Sequence, residues 1–213
     1  NINLDVGSAS HAVQTAEIMK RFEPILDQEM PDAILVVGDV NSTIACALVA
    51  AKRGVKVIHV EAGLRSFDRA MPEEINRVLT DQISDVLFTT EREAERNLLR
   101  EGIAGERIHF VGNVMIDTLR SQLPHAKPAT ETLRLAGVPE EHIGNKSMYA
   151  ILTLHRPSNV DDPKILRILL RAVVDVSKYL HIVFPVHPRT RSRIEAFGLL
   201  EPMKNANITL LPP

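Results

Sequence analysis

The run Ala33-Ile34-Leu35-Val36-Val37-Gly38-Asp39-Val40-Asn41-Ser42-Thr43 decides how this chain is read. Five consecutive apolar residues without polar alternation suit a strand covered on both faces, as in a parallel sheet. Gly38-Asp39 breaks the run, and Asn41, Ser42 and Thr43 are all residue types that cap helices. They open a small-residue stretch over 41–53 that reads as a helix and stops before Gly54, a residue suited to a helix end. Strand, polar turn and helix make the first half of a β-α-β unit, and a second apolar run at 55–60 completes it.

Working outward, the same kind of run recurs at 86–89, 108–111, 149–154, 181–186 and 208–211. Helical patterns lie between the runs. Residues 11–29 carry Ile18, Phe22, Ile25 and Leu26 at helical spacing, with Pro24 expected to kink the helix. Pro72 fits the first turn of a helix over 73–84. Further helices are expected at 91–101, 114–122, 162–179 and 189–197. The alternation implies an α/β fold of the doubly wound kind with right-handed crossovers. Residues 123–145 differ from their surroundings: they hold Pro124, Pro128, Pro139, Gly137 and Gly144, no strong strand, and one short helix near 130–136. The division is therefore a domain over 1–122, a connection over 123–145, and a second domain over 146–213. The chain opens on Asn1-Ile2-Asn3-Leu4 and stops at Leu210-Leu211-Pro212-Pro213, and both domains are expected to be truncated at these ends.

Composition bounds the function. The 213 residues are 45% hydrophobic and 24% charged with a formal net charge of −2, so nothing suggests a binder of nucleic acid or of a membrane surface. The single cysteine, Cys46, lies in an apolar run and reads as a small buried side chain, with no disulfide and no zinc site. No apolar stretch reaches the roughly 18 residues of a membrane span, and no signal peptide is visible, so a cytoplasmic location is expected.

Polar residues cluster where the apolar runs end, which in open α/β sheets is where ligands bind. Gly38-Asp39 follows the first run, and His59-Val60-Glu61-Ala62-Gly63-Leu64-Arg65-Ser66 closes the second. Thr89-Thr90, Gly112-Asn113, His155-Arg156 and His187-Pro188-Arg189 close others. Each has an ordinary structural explanation too. Asp39 suits a helix cap; Glu61 suits a partner such as Arg65; Glu73 and Glu74 suit the dipole of a helix first turn. At about 100° per residue, Glu73, Asn76, Arg77 and Thr80 share one helix face, opposite Ile75, Val78, Leu79 and Ile83. That polar face suits solvent, with a Glu73–Arg77 pair, or a cleft. His59 reads as a satisfied core histidine. The residues alone support two α/β domains forming a cleft, with carboxylates on the first and His-Arg groups on the second, suited to a phosphate-bearing substrate and acid–base chemistry.

Six motifs stand together: Gly-Asp-Val-Asn-Ser-Thr at 38–43, His-Val-Glu-Ala-Gly-Leu-Arg-Ser at 59–66, Pro-Glu-Glu-Ile-Asn-Arg at 72–77, Val-Gly-Asn at 111–113, Leu-His-Arg at 154–156 and Pro-Val-His-Pro at 185–188. In order and spacing they resemble the non-hydrolysing UDP-N-acetylglucosamine 2-epimerases. The resemblance implies two Rossmann-like domains of glycosyltransferase-B type. It implies reversible inversion at C2 of UDP-N-acetylglucosamine by anti elimination and re-addition of UDP, feeding surface polysaccharide precursors. It makes Asp39, Glu61, Glu73 and His155 the catalytic candidates, and Arg77, Asn113, Arg156 and His187 the substrate-binding ones. Gln14 falls near family positions linked to an allosteric site. No cofactor or metal is implied; the ligand is UDP-N-acetylglucosamine or UDP, and a homodimer is expected. The family's His-Arg-x-Glu-Asn stands here as His155-Arg156-Pro157-Ser158-Asn159, so the contacts of its Glu are absent. The family's leading Arg- and Lys-bearing loop and its trailing Gly-Gly-Glu-Glu stretch have no counterpart in these residues, so low activity is expected of the chain alone. Competing readings are a hydrolysing relative releasing N-acetylmannosamine, a metal-dependent hydrolase using Asp39, Glu61, His155 and His187, and a non-catalytic piece.

Overall fold

A computed structural model describes residues 2–143 and 148–212. The expectations that touch Asn1, Pro213 and residues 144–147, including the end of the connection and the start of the second domain at 146, lie outside the described residues. The chain forms two compact units, residues 1–124 and 125–213.

The first unit runs α1 (His11–Glu29), β1 (Ala33–Val37), α2 (Asn41–Lys52), β2 (Lys56–Val60), α3 (Pro72–Ile83), β3 (Val86–Thr89), α4 (Arg92–Arg100), β4 (Ile108–Phe110) and α5 (Val114–Gln122). Its strands form one parallel sheet in the order β1-β2-β3-β4. Leu26, Val36, Ala47, Val49, Ala50 and Val57 make one buried cluster, joining α1 and α2 to the first two strands. Ala62, Leu87, Leu98, Ile103 and Ile108 make a second, under α4. The run at 33–37 is not covered on both faces as expected: β1 lies at the sheet edge, where Val36 is buried but Leu35 and Val37 are 58% and 49% exposed. α1 is continuous across Pro24, which lies on an exposed face. Cys46 is half-buried rather than buried, and burial pushes its thiol above the ordinary value.

The second unit runs α6 (Ala129–Leu135), β5 (Tyr149–Ile151), α7 (Pro157–Val160), α8 (Pro163–Val176), β6 (His181–Pro185), α9 (Pro188–Ala196), α10 (Leu200–Lys204) and β7 (Ile208–Leu211). Its sheet is parallel in the order β5-β6-β7. Val160, Leu166, Leu170, Phe184, Val186, Ile194, Leu199 and Met203 fill its main core. The segment read from sequence as a connection also contributes packing here, since Leu133, Val138 and Ile143 surround Val183. α7 and α10, of four and five residues, are too short to leave a period in the sequence.

One glycine holds the site's scaffold together. Gly63 sits at φ 79°, and a Cβ added there would lie 2.5 Å from the Ala94 carbonyl oxygen and 2.9 Å from Leu98 Cγ. The turn after β2 therefore packs directly on α4. Gly63→Ala combines a left-handed backbone with overpacking and is expected to cost on the order of 3 kcal/mol. Urea denaturation checks it; a loss near zero would mean that α4 shifts freely.

Candidate functional site

The sheet register lines up the polar strand ends of the first unit. Val37 pairs with Val60, and the ladder continues past the strands: Gly38 N–H donates to Val60 O (3.1 Å), Ala62 N–H to Phe88 O (3.1 Å) and Val111 N–H to Thr89 O (3.0 Å). Asp39, Glu61, Thr89 and Asn113 thus follow neighbouring strand ends along one edge. Glu61 adopts φ 69°, a left-handed conformation that is strained for a residue with a side chain. A Cβ built at Gly38 would lie 3.7 Å from Glu61 Oε2, so the carboxylate lies against the Gly38-Asp39 turn. Glu61 does not pair with Arg65, whose guanidinium is committed elsewhere. Among the described residues no donor binds the half-buried Glu61 carboxylate.

Asp39 does not cap α2. The N-cap position is Val40, without a side-chain bond, and Asp39 instead pairs with the Arg77 guanidinium. The Asn76 amide donates to the Asp39 carbonyl (2.9 Å), fixing the turn from α3. Arg77 also pairs with Glu74 (2.8 Å), three residues back, in place of the expected Glu73–Arg77 pair. Glu73 is exposed and makes no ion pair among the described residues. The helix is turned relative to its apolar pattern: Ile75 and Leu79 are 42% and 51% exposed, whereas Glu74, Thr80 and Asp81 are buried. Buried polar groups are tolerated when their bonds are made, and these are. Glu74 accepts from Ser66 N–H (2.9 Å), Ser66 Oγ–H (3.0 Å) and Phe67 N–H (3.1 Å) besides Arg77. Burial alone would raise the Glu74 carboxyl; the bonds from Ser66 and Phe67, with the Arg77 charge, outweigh it and hold it below the usual carboxylate value.

Beneath the strand ends lies a buried ionic cluster. His59, Asp81 and the Arg65 side chain are at most 1% exposed. His59 Nδ1 meets Asp81 Oδ1 at 2.7 Å and its Nε2 meets the Gly38 carbonyl at 2.9 Å, so His59 is a satisfied core histidine. Asp81 Oδ2 accepts from Gly63 N–H (3.1 Å) and pairs with Arg65 (2.7 Å). Arg65 also grips Glu101 in a two-pronged pair (2.8 and 2.6 Å). The cluster ties the Gly38 turn to the Gly63 turn from below.

Two further candidates have structural occupations. Asn113 caps α5, its side chain accepting from Met115 N–H at 2.9 Å. Gln14 accepts from Asn41 (2.7 Å), and Asn41 lies against Asn76 (3.3 Å), so Gln14 joins the polar network beside the Asp39 turn.

In the second unit His155 and Arg156 are exposed after β5, and His187 is exposed after β6, where it caps α9. The His155 and His187 rings lie 6.0 Å apart. The Arg189 N–H donates to His187 Nδ1 (3.2 Å), which leaves Nε2 as the ring's N–H donor. Thr190 Oγ–H donates to the Leu154 carbonyl, and Asp161 pairs with Arg189 and Arg193, so α9 holds the His155 loop at both ends. The Arg189 bond, followed by Arg193, holds the Asp161 carboxyl below its usual value despite opposing desolvation. Sequence reading missed Asp161, Asp81 and Glu74; the first two carry no local signal, and Glu74 differs from Glu73 only in its tertiary partners. Among the described residues no three His, Cys, Asp or Glu side chains converge as a metal site, and no helix is long and apolar enough to cross a membrane.

The sequence model of the family described as UDP-N-acetylglucosamine 2-epimerase matches residues 1–213. A UDP-N-acetylglucosamine 2-epimerase of Methanococcus maripaludis is 43% identical over 208 residues, covering 97% of this chain and 56% of the relative. A UDP-2,3-diacetamido-2,3-dideoxy-D-glucuronate 2-epimerase of Pseudomonas aeruginosa is 42% identical, covering 92% of this chain and 53% of its own length. Among solved structures, the Methanocaldococcus jannaschii UDP-GlcNAc 2-epimerase in complex with UDP-GlcNAc and UDP superposes with a TM-score of 0.84 at 39% identity, covering 100% of this chain and 58% of that one. The chain spans just over half the length of these relatives.

Proposed function

The chain belongs to the UDP-N-acetylglucosamine 2-epimerase family, and on that premise we propose that it serves the reversible C2 inversion of UDP-N-acetylglucosamine to UDP-N-acetylmannosamine. The observation that supports this most directly is the placing of Asp39 and Glu61 just after two adjacent strand ends, with Glu61 in a strained conformation against the Gly38 turn. Strained backbone of this kind clusters at active sites.

In this reading a carboxylate of the set Asp39, Glu61 and Glu73 takes the C2 proton, and the C2–H electron pair forms the C1=C2 double bond. The C1–O bond breaks, and UDP leaves with its electrons. Re-addition of UDP to C1, with proton delivery to the other face of C2, completes the inversion and leaves no net oxidation. Arg156 supplies positive charge, and the His155 and His187 rings supply N–H donors, suited to the diphosphate. Gln14 and Asn113 stand in supporting roles, Gln14 at the polar network beside the Asp39 turn and Asn113 at the head of α5. The product would feed surface polysaccharide precursors.

The test is incubation with UDP-N-acetylglucosamine in D2O, read by mass spectrometry. The expected product is UDP-N-acetylmannosamine carrying one deuterium at C2, with the same label entering the substrate pool. Free N-acetylmannosamine with UDP would replace this reading by the hydrolysing one. Absence of label at C2 would favour the non-catalytic reading of the chain over both. A second substrate reading has one specific support, the 42% identity to the diacetamido-glucuronate enzyme. Both substrates share the UDP group and the 2-acetamido carbon, so a parallel incubation with the diacetamido uronate decides between them by kcat/KM.

A further inference from the structure

We infer that Glu74 is a positioning residue for the acid–base site: it orients Arg77 onto Asp39 and, with the same carboxylate, pins the turn that follows the Glu61 strand end. The inference rests on the functional reading above for its kinetic arm only.

The geometry is specific. The Glu74 carboxylate is 3% exposed and collects four donors. Three of them, Ser66 N–H, Ser66 Oγ–H and Arg77 Nη1, land on Oε2, and Phe67 N–H lands on Oε1. Arg77 spends Nη1 on Glu74 and Nη2 on Asp39, so its planar guanidinium bridges two carboxylates and has one orientation available. Phe67, in a left-handed conformation at φ 60°, is held there by its bond to the same carboxylate. Glu73, one residue earlier, is exposed and contributes none of this. A first-turn acid serving only the helix dipole would need neither burial nor four donors. Glu74 has both, and its one charged donor is the residue that reaches Asp39.

Glu74→Gln keeps the shape but removes the charge that anchors Arg77 and turns an amide N–H toward one of the donors. The expected result is a folded protein whose kcat falls about tenfold or more while KM for UDP-N-acetylglucosamine stays within about threefold. In an Arg77→Ala background the same change is expected to cost less than about twofold, because Glu74 acts through Arg77. Ser66→Ala removes a turn bond and leaves Arg77 anchored, so it should lower Tm without lowering kcat. Additive losses in the double variant, or a kcat loss in Ser66→Ala matching that of Glu74→Gln, would overturn the inference. Should Glu74→Gln fail to fold, Glu74→Asp takes its place in the same cycle.

A wild-type protein without turnover would sink the functional reading alone. The NMR signal of the Arg77 guanidinium N–H groups then carries the test. It is expected to be slowly exchanging in the wild type and to be lost in the Glu74 variant, and an unchanged signal would overturn the positioning role.

Discussion

Asp81→Ala is expected to destabilise the first unit by about 3–5 kcal/mol, the cost of leaving partners of a buried ion pair uncompensated. Asp81 is fully buried and faces three groups at once. His59 Nδ1 lies at 2.7 Å, Arg65 at 2.7 Å and Gly63 N–H at 3.1 Å. Arg65 retains Glu101 when Asp81 is truncated, but His59 and Gly63 N–H are left facing a cavity with no acceptor. Gly63 cannot move to recover the bond, because it is wedged against Ala94 and Leu98. Asp81→Asn should cost markedly less. Its amide oxygen still accepts from Gly63 or Arg65, and its N–H₂ can donate to His59 Nδ1, leaving His59 Nε2–H for the Gly38 carbonyl. Urea denaturation of the two variants reads the difference. An alanine variant within about 1 kcal/mol of wild type would show that water replaces the carboxylate, against the burial seen for all three side chains.

That cluster also marks where sequence reading stops. The strand positions were legible because apolar runs such as 33–37, 86–89 and 208–211 have no alternative use in a chain of this pattern, and α1 at 11–29 has a clean apolar period. The polar strand ends were legible for the same reason, as breaks in those runs. α3 was not. Its pattern points Ile75 and Leu79 at a core, yet both are exposed and Glu74 and Asp81 are inside. The partners that make this possible come from residues remote in the chain: Ser66 and Phe67 for Glu74, and His59, Gly63 and Arg65 for Asp81. A helix first turn treats Glu73 and Glu74 alike, and a rotation of about 100° separates a solvent-facing carboxylate from a buried one. No local rule reads that rotation. Glu61 and Arg65 show the converse error, where proximity in sequence suggested a pair and the fold sends Arg65 to Asp81 and Glu101 instead.

Glu61 offers the sharpest separation of stability from activity. Its φ of 69° places a long side chain in left-handed backbone, a cost of roughly 1–2 kcal/mol for an ordinary residue. Asn tolerates this region better than Glu, so Glu61→Asn is expected to raise stability by about 0.5–1 kcal/mol. The same change shortens and neutralises the carboxylate, and if Glu61 is one of the acid–base groups, turnover falls by about 10²–10⁴-fold. Glu61→Gln separates the two contributions. It keeps the side-chain length and the backbone strain, so it should lose the activity and gain no stability. Fully ordinary behaviour, with both variants destabilised and both retaining more than about a tenth of wild-type turnover, would remove Glu61 from the acid–base set. A more stable but inactive Asn variant beside an inactive Gln variant of wild-type stability would mean that the strained backbone is kept for the carboxylate it presents, since nothing else at this strand end would favour Glu over Asn.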